Sequence, residues 1–287
     1  MPTIRSITPG DFPACARICY EAFGSLQDRH GVERDFDSVQ TAEMVIGMFG
    51  TRPDFAGFVA LDDDGRTILG SNFLQFSDEV AGVGPITVDP SAQARGVGRS
   101  LMRAVMDEAA RRGIKQVRLQ QEAINTTSLS LYAKLGFDWR EACALVRLEP
   151  AERDLEGTRP VSERDLPAID ELSRRHFHAS RVNEAAGYLR IGLPGFVLSR
   201  GGRDVGYYFP SFLGHGFAET PEDLAALAAH AAKHAPPQFR KTIVPLGQHG
   251  LHRGVMARGG RAIKLFNYMT TGAYRAPVGA WIPSIGM

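Results

Sequence analysis

Apolar positions recur at helical spacing in some stretches of the chain and alternate or run together in others. Val97, Leu101, Val105 and Ala109 stand at i, i+4, i+8 and i+12, so the pattern predicts an amphipathic helix over 97–112. Further helices are predicted at 39–49 and at 126–135, the second stopped by Gly136. Asp11 is predicted to cap a helix running to about Phe23, with Pro13 in its first turn, where a missing N–H costs nothing. The polar stretch 24–37 predicts a loop. Weak alternation over 2–7 and apolar runs at 55–61, 68–76, 83–88, 117–119 and 142–148 predict strands. The turn Asp62-Asp63-Asp64-Gly65 joins the second and third of them. The resulting order, βααβββαβαβ, argues for a mixed α/β layer fold.

After a charged, aperiodic stretch at 150–157 the opening pattern returns. At a shift of 154, Arg5, Asp11, Phe12, Pro13, Ala14 and Phe23 meet Arg159, Asp165, Leu166, Pro167, Ala168 and Phe177. Gly57-Phe58-Val59 is echoed by Gly195-Phe196-Val197, and Arg66 and Gly70 by Arg203 and Gly206. A length of 287 residues agrees with two domains. The expectation is a tandem duplication, with one domain over 1–150 and a second over 158–287.

Composition narrows the class. With 44% apolar and 23% charged residues, the chain can build a core, which excludes a disordered or collagen-like protein. The net charge of +1 supplies no global attraction for nucleic acid or a membrane surface, and neither is expected as a partner. The halves differ: 16 basic and 20 acidic residues precede position 151, and 17 basic and 12 acidic follow. Seven of the eight histidines lie in the second half. Cys15, Cys19 and Cys143 are too few for a disulfide framework and read as small core residues. No apolar signal segment opens the sequence and no window reaches 18 apolar residues, so a cytoplasmic location is expected.

The segment Val83-Gly84-Pro85-Ile86-Thr87-Val88-Asp89-Pro90-Ser91-Ala92-Gln93-Ala94-Arg95-Gly96-Val97-Gly98-Arg99-Ser100 carries the strongest chemical signal. A strand stopped by proline runs into a loop, and a helix opens on two glycines. Glycine lets a ligand approach the backbone, and the first helical N–H groups point outward with the positive end of the helix dipole. That suits a phosphate or pyrophosphate. The P-loop ending Gly-Lys-Ser/Thr is missing, and so is the third glycine of the dinucleotide fingerprint.

Gln93-x-x-Gly96-x-Gly98 resembles the Q/R-x-x-G-x-G/A acyl-CoA loop of the GNAT superfamily of N-acetyltransferases. The stretch Asn125 to Phe137 also resembles that family's N-x-x-A-x-x-x-Y-x-x-x-G-F motif, with Ser128 in place of the usual alanine. The resemblance covers 1–150 well and 158–287 only as a decayed copy. It implies two GNAT-like domains, each with a mostly antiparallel central sheet, a splayed parallel pair and flanking helices. It further implies transfer of an acetyl group from acetyl-CoA to a primary amine of a small molecule or peptide, in a ternary complex and without a metal. By resemblance, Ile86, Thr87 and Val88 would face the pantetheine arm and thioester. Gln93, Ala94, Arg95, Gly96, Val97, Gly98, Arg99 and Ser100 would cradle the pyrophosphate. Asn125 and Ser128 would line the cofactor arm, and Tyr132 would return a proton to the leaving thiolate. The strand 81–88 has no carboxylate where many relatives carry a glutamate. Asp78, Glu79 and Glu122 are therefore the candidate bases, reached through water.

The second half departs where the chemistry would sit. Thr220-Pro221-Glu222-Asp223 is a helix start whose acids, with Glu219, would repel phosphate, and Met256 takes the place of Tyr132. That half is expected to be catalytically inert. His176 and His178, and His249 and His252, have metal-compatible spacings without supporting ligands, so no metal is expected there. The competing class is a non-catalytic acyl-CoA-binding or interaction protein. Nothing in the sequence separates a monomer from a homodimer.

Overall fold

A computed structural model describes residues 2–284 of the 287. In chain order the elements are β1 (Thr3–Ser6), α1 (Phe12–His30), α2 (Val39–Thr51), β2 (Phe55–Leu61), β3 (Ile68–Gln75), β4 (Ala81–Val83), β5 (Thr87–Val88), α3 (Val97–Arg111), β6 (Val117–Glu122), α4 (Thr126–Lys134) and β7 (Asp138–Arg147). They continue with β8 (Thr158–Pro160), α5 (Leu166–Phe177), α6 (Val182–Arg190), β9 (Phe196–Arg200), β10 (Arg203–Phe209), β11 (His215–Ala218), α7 (Pro221–His234), β12 (Lys241–Pro245), α8 (His249–Ala257), β13 (Arg261–Thr270) and β14 (Ala280–Ile282). The chain divides into two compact units, one over 2–119 with 124–136, the other over 120–123 with 137–284.

In the first unit β1, β2, β3 and β4 form an antiparallel series. β4 then pairs in parallel with β6, but only through Ala81 with Val117 and Gly82 with Arg118. The apolar run at 83–88, expected as one strand, is broken at Gly84-Pro85, and the short β5 pairs back onto β3. The parallel pair therefore parts after two residues. The predicted stripe of α3 is its buried face: Val97, Leu101, Val105 and Ala109 are each at most 2% exposed. Val97 and Leu101 pack with Ala60, Leu69 and Ala92. Cys15, Cys19 and Cys143 are free and buried, and burial pushes the Cys15 thiol up to about 11.

Helix α1 is about two turns longer than its apolar pattern suggests, ending at the left-handed Gly31. Polar residues there are satisfied internally: the buried Gln27 donates to Asp35 Oδ2 at 2.7 Å and accepts from the Asp35 N–H at 3.0 Å. Asp11 does not cap α1 with its side chain. It closes a capping box on Thr8 and accepts from Arg5 at 2.7 and 2.8 Å. The same device opens the later half, where Ser162 and Asp165 form the box and Arg159 donates to Asp165 at 2.6 Å.

In the second unit the order is β6-β13-β7-β12, joined through the last residues of β6, with a further sheet β14-β11-β10-β9-β8. β7 is antiparallel to both β12 and β13. That pairing takes β7 into the second unit, so the compact boundary falls inside the 1–150 span expected from the linker at 150–157. One core gathers β7, β9 and α7 through Val146, Leu148, Leu198, Leu224 and Leu227, and another gathers Cys143, Ile169, Phe177, Tyr207 and Phe217. From β8 to β13 the element order repeats that from β1 to β7, save for the absence of a counterpart to β5. Gly70 and Gly206, matched in the repeat, have the same reason to lack a side chain: a Cβ would lie 2.3 Å from Thr87 O and 2.5 Å from Phe217 O respectively.

Candidate active site

A cleft of about 740 Å³ lies in the first unit. It is lined from β5, from the loop and first turn of α3, from α4, and from the outer end of α1. Every residue expected to hold the cofactor lines it: Ile86, Thr87, Val88, the run Gln93 to Ser100, Asn125, Ser128 and Tyr132.

The loop before α3 is shaped by two left-handed residues, Ala94 with φ 66° and Gly96 with φ 80°. Ala94 occupies a region that L side chains visit rarely, at a cost of about 1 kcal/mol, and so holds the loop open at an energetic expense. Gly96 is the N-cap of α3 and nothing lies within 4 Å of where its Cβ would stand. Among the described residues the N–H groups of Gly96, Val97, Gly98 and Arg99 find no acceptor. The first turn of α3 carries no acid to satisfy them. Four guanidinium groups, from Arg29, Arg95, Arg99 and Arg103, line the same space, and no aspartate or glutamate does. Arg95 is tied to Asp62 at 2.7 Å, whereas Arg99 and Arg103 have no ion pair among the described residues. Free amides, a helix N-terminus and uncompensated cations give the cleft the chemistry that suits a polyanion.

Tyr132 is 6% exposed, on the inner face of α4. Burial raises its phenol well above the ordinary tyrosine value, and a hydrogen bond with Ser128 one turn earlier acts in the opposite sense. The phenol is thus a protonated donor throughout the neutral range. Asn125 caps α4: its side chain accepts from the Ser128 N–H at 3.0 Å, and its carbonyl accepts from Ser128 Oγ at 3.0 Å. Asn125 and Ser128 therefore aim α4, and with it Tyr132, at the cleft.

The candidate bases stand elsewhere. Glu79 is exposed in the bend at 77–80 and Asp78 is half-buried beside it; neither lines the cleft. Glu122 is buried and accepts from Lys264 Nζ at 2.7 Å, and it too is absent from the lining. Sequence reading missed Ala22, Phe23, Leu26, Arg29 and Arg103. Ala22, Leu26 and Arg29 follow one another at helical spacing, a signal hidden when α1 is ended at Phe23.

The sequence pattern of the acetyltransferase (GNAT) family matches residues 17–137. The mycothiol acetyltransferase of Saccharopolyspora erythraea is 31% identical over 137 residues, which are 47% of this chain and 43% of that one. That of a Nocardioides species is 35% identical over 140 residues, 45% of this chain and 46% of the relative. The chain thus spans under half the length of these curated relatives. Two solved structures share the fold along nearly all of it. A proposed acetyltransferase from Pyrococcus horikoshii superposes with a TM-score of 0.78 at 18% identity, covering 98% of this chain and 92% of that one. A GCN5-related N-acetyltransferase from Sphaerobacter thermophilus superposes with a TM-score of 0.65 at 17% identity, covering 96% of each. Over residues 17–137, less than half of its length, the chain is thus similar to the acetyltransferase (GNAT) family.

Proposed function

We propose that the protein transfers an acetyl group from acetyl-CoA to a primary amine, with all of the cofactor site in the first unit. The observation that carries the reading is the cleft itself, which unites acceptor-free amides, four arginines and a buried, protonated tyrosine without a single lining carboxylate. The residues present fit the cofactor: Gly96 leaves open space, and a Cβ at Gly98 would stand between Leu131 and Val88, two residues of the cleft wall. The amides of Gly96 to Arg99 would bind the pyrophosphate, with Arg99 and Arg103 adding charge. The edge of β5 left unpaired where β4 and β6 part would take the pantetheine amides. Bound acetyl-CoA would supply the thioester carbon that the amine attacks. Tyr132 Oη would return a proton to the sulfur as the C–S bond breaks. With no carboxylate on the cleft wall, the ammonium proton would leave through water, so the rate should rise with pH until the acceptor amine is neutral.

The second half supports the reading by contrast. Thr220 caps α7 by accepting from the Asp223 N–H at 3.1 Å, and Asp223 in turn accepts from Arg200 at 3.0 Å. Among the described residues no bare amide cradle stands there, and Val255, not the Met256 expected from the sequence, lies on α8 where Tyr132 lies on α4; neither side chain offers a proton. We infer a duplicated chain whose second copy binds no cofactor. The test is titration calorimetry with acetyl-CoA, followed by thiol release against a panel of small amines that includes the acceptor of the mycothiol acetyltransferases. One site per chain and turnover on at least one amine are expected. Binding without turnover on any amine would favour an acyl-CoA-binding role, and two sites per chain would overturn the assignment of the second copy.

A further inference from the structure

In the second unit, far along the sequence from the cleft residues, His230 and His234 stand one helical turn apart on α7 and face the segment 150–157. Residues four apart on a helix share a face, so the two imidazoles converge. Asp154 meets them from the connecting segment. Its Oδ1 lies 3.2 Å from His234 Nε2 and 3.7 Å from His230 Nδ1. Ligand atoms held about 2.1 Å from a tetrahedral zinc ion stand about 3.4 Å from one another. The two edges to Asp154 bracket that value, and all three donor atoms lie within 4.8 Å of one another, so a small inward rotation of the side chains would close the site.

The donors are also held in place. His230 is only 4% exposed and its ring packs edge-on against Phe196 at 4.7 Å, while His234 lies 5.2 Å from the same ring. His230 Nδ1 accepts from the Leu155 N–H at 3.2 Å, which fixes the tautomer with the Nδ1 lone pair aimed at the connecting segment. Lys233 Nζ occupies Asp154 at 3.0 Å, a cation where a cation is wanted. We propose that Asp154, His230 and His234 form a divalent transition-metal site, best suited to zinc, that fastens the segment 150–157 to α7. Two imidazoles and one carboxylate are the borderline donor set that zinc takes, with water completing the tetrahedron. The ion would displace the Lys233 ammonium from Asp154 and take the lone pair that now receives the Leu155 N–H. Both competitions hold the affinity below that of a closed four-ligand site. This inference is independent of the acetyltransferase reading, and it runs against the expectation of no metal drawn from the histidine pairs singled out in the sequence.

The test uses the full chain, stripped with a chelator and titrated with zinc by calorimetry, and with cobalt as a visible-absorption probe of tetrahedral coordination. One equivalent is expected, with a rise in Tm at saturating zinc. Asp154→Asn and His234→Ala alter exposed side chains, so folding should survive, and each should weaken zinc at least tenfold. Lys233→Met removes the competing cation and should tighten it several-fold, an effect that scattered surface histidines would not produce. No uptake, or uptake that Asp154→Asn and His234→Ala leave unchanged, would overturn the proposal.

Discussion

Gly98 offers a perturbation whose two consequences should have opposite signs. It occupies the second position of α3, and a Cβ built on it meets only Leu131 Cδ2 at 3.5 Å and Val88 Cγ2 at 3.7 Å, ordinary van der Waals distances. Gly98→Ala therefore needs no rearrangement of the unliganded protein. Alanine also loses less backbone freedom on entering a helix, and at this terminal position the gain should be about 0.5 kcal/mol. For a chain of this size that raises Tm by about 1–2 °C. The same methyl stands on the turn whose amides would receive the pyrophosphate. Displacing that contact should cost at least tenfold in affinity, about 1.4 kcal/mol. Gly98→Glu adds a negative charge to the same spot and should cost about tenfold more. Differential scanning calorimetry and titration with acetyl-CoA read the two effects on one preparation. If Gly98→Ala binds acetyl-CoA as tightly as the parent while melting higher, the cofactor is not held by this turn and the proposed site is wrong.

Tyr132→Phe keeps the buried ring and removes the proton donor, so kcat should fall by about 10²–10⁴ with little change in the Kd for acetyl-CoA; unchanged kcat would make Tyr132 a packing residue. Gly70→Ala would drive a Cβ to 2.3 Å from Thr87 O, so β5 must shift; a loss of about 1–3 kcal/mol in urea melts and weaker cofactor binding are expected. Burial raises the phenols of Tyr132 and Tyr208, so the folded chain holds those protons longer than the unfolded one. Stability should be intact below about pH 10 and fall as pH rises beyond it, and the urea midpoint at pH 9 and 10.5 checks the sign. At the acid end, Arg5 and Thr8 hold the Asp11 carboxyl down to about 2. Its contribution should be complete above about pH 4 and vanish towards pH 2, and Asp11→Asn should flatten that part of the profile.

Much of the first unit was legible because its signals are local. The α3 stripe, the stop at Gly136 and the glycines of the loop are read within a few residues of where they act. What escaped depended on distant partners. Residues 24–30 look like a loop because Gln27 is polar, yet Asp35 satisfies it inside the fold and α1 runs on to His30. Arg29 and Arg103 carry no local motif, and only the packing of their helices sets them on one cleft. The run at 83–88 looks continuous because hydrophobicity does not record a change of pairing partner, from β4 on β6 to β5 on β3. The cofactor loop was legible as a phosphate-type site from residue type alone; the base was not, because water can carry the amine proton to any carboxylate within reach.

The placement of β7 between β12 and β13 has a consequence for how the chain is made. Asp138 and Thr270 are register partners, so the ladder closes between residues more than a hundred positions apart. At a synthesis rate of about 5–20 residues per second, β7 emerges roughly 6–25 s before β13 exists. Until β12 emerges, shortly before β13, both of its backbone edges are open, the state in which strands recruit foreign chains. Asp138, Arg140, Glu141 and Arg147 break its apolar alternation with charge and would guard the wait. A chain ending at residue 150 would prolong the wait without limit. Such a fragment should aggregate or need a chaperone, even though every residue lining the cofactor cleft would be present in it.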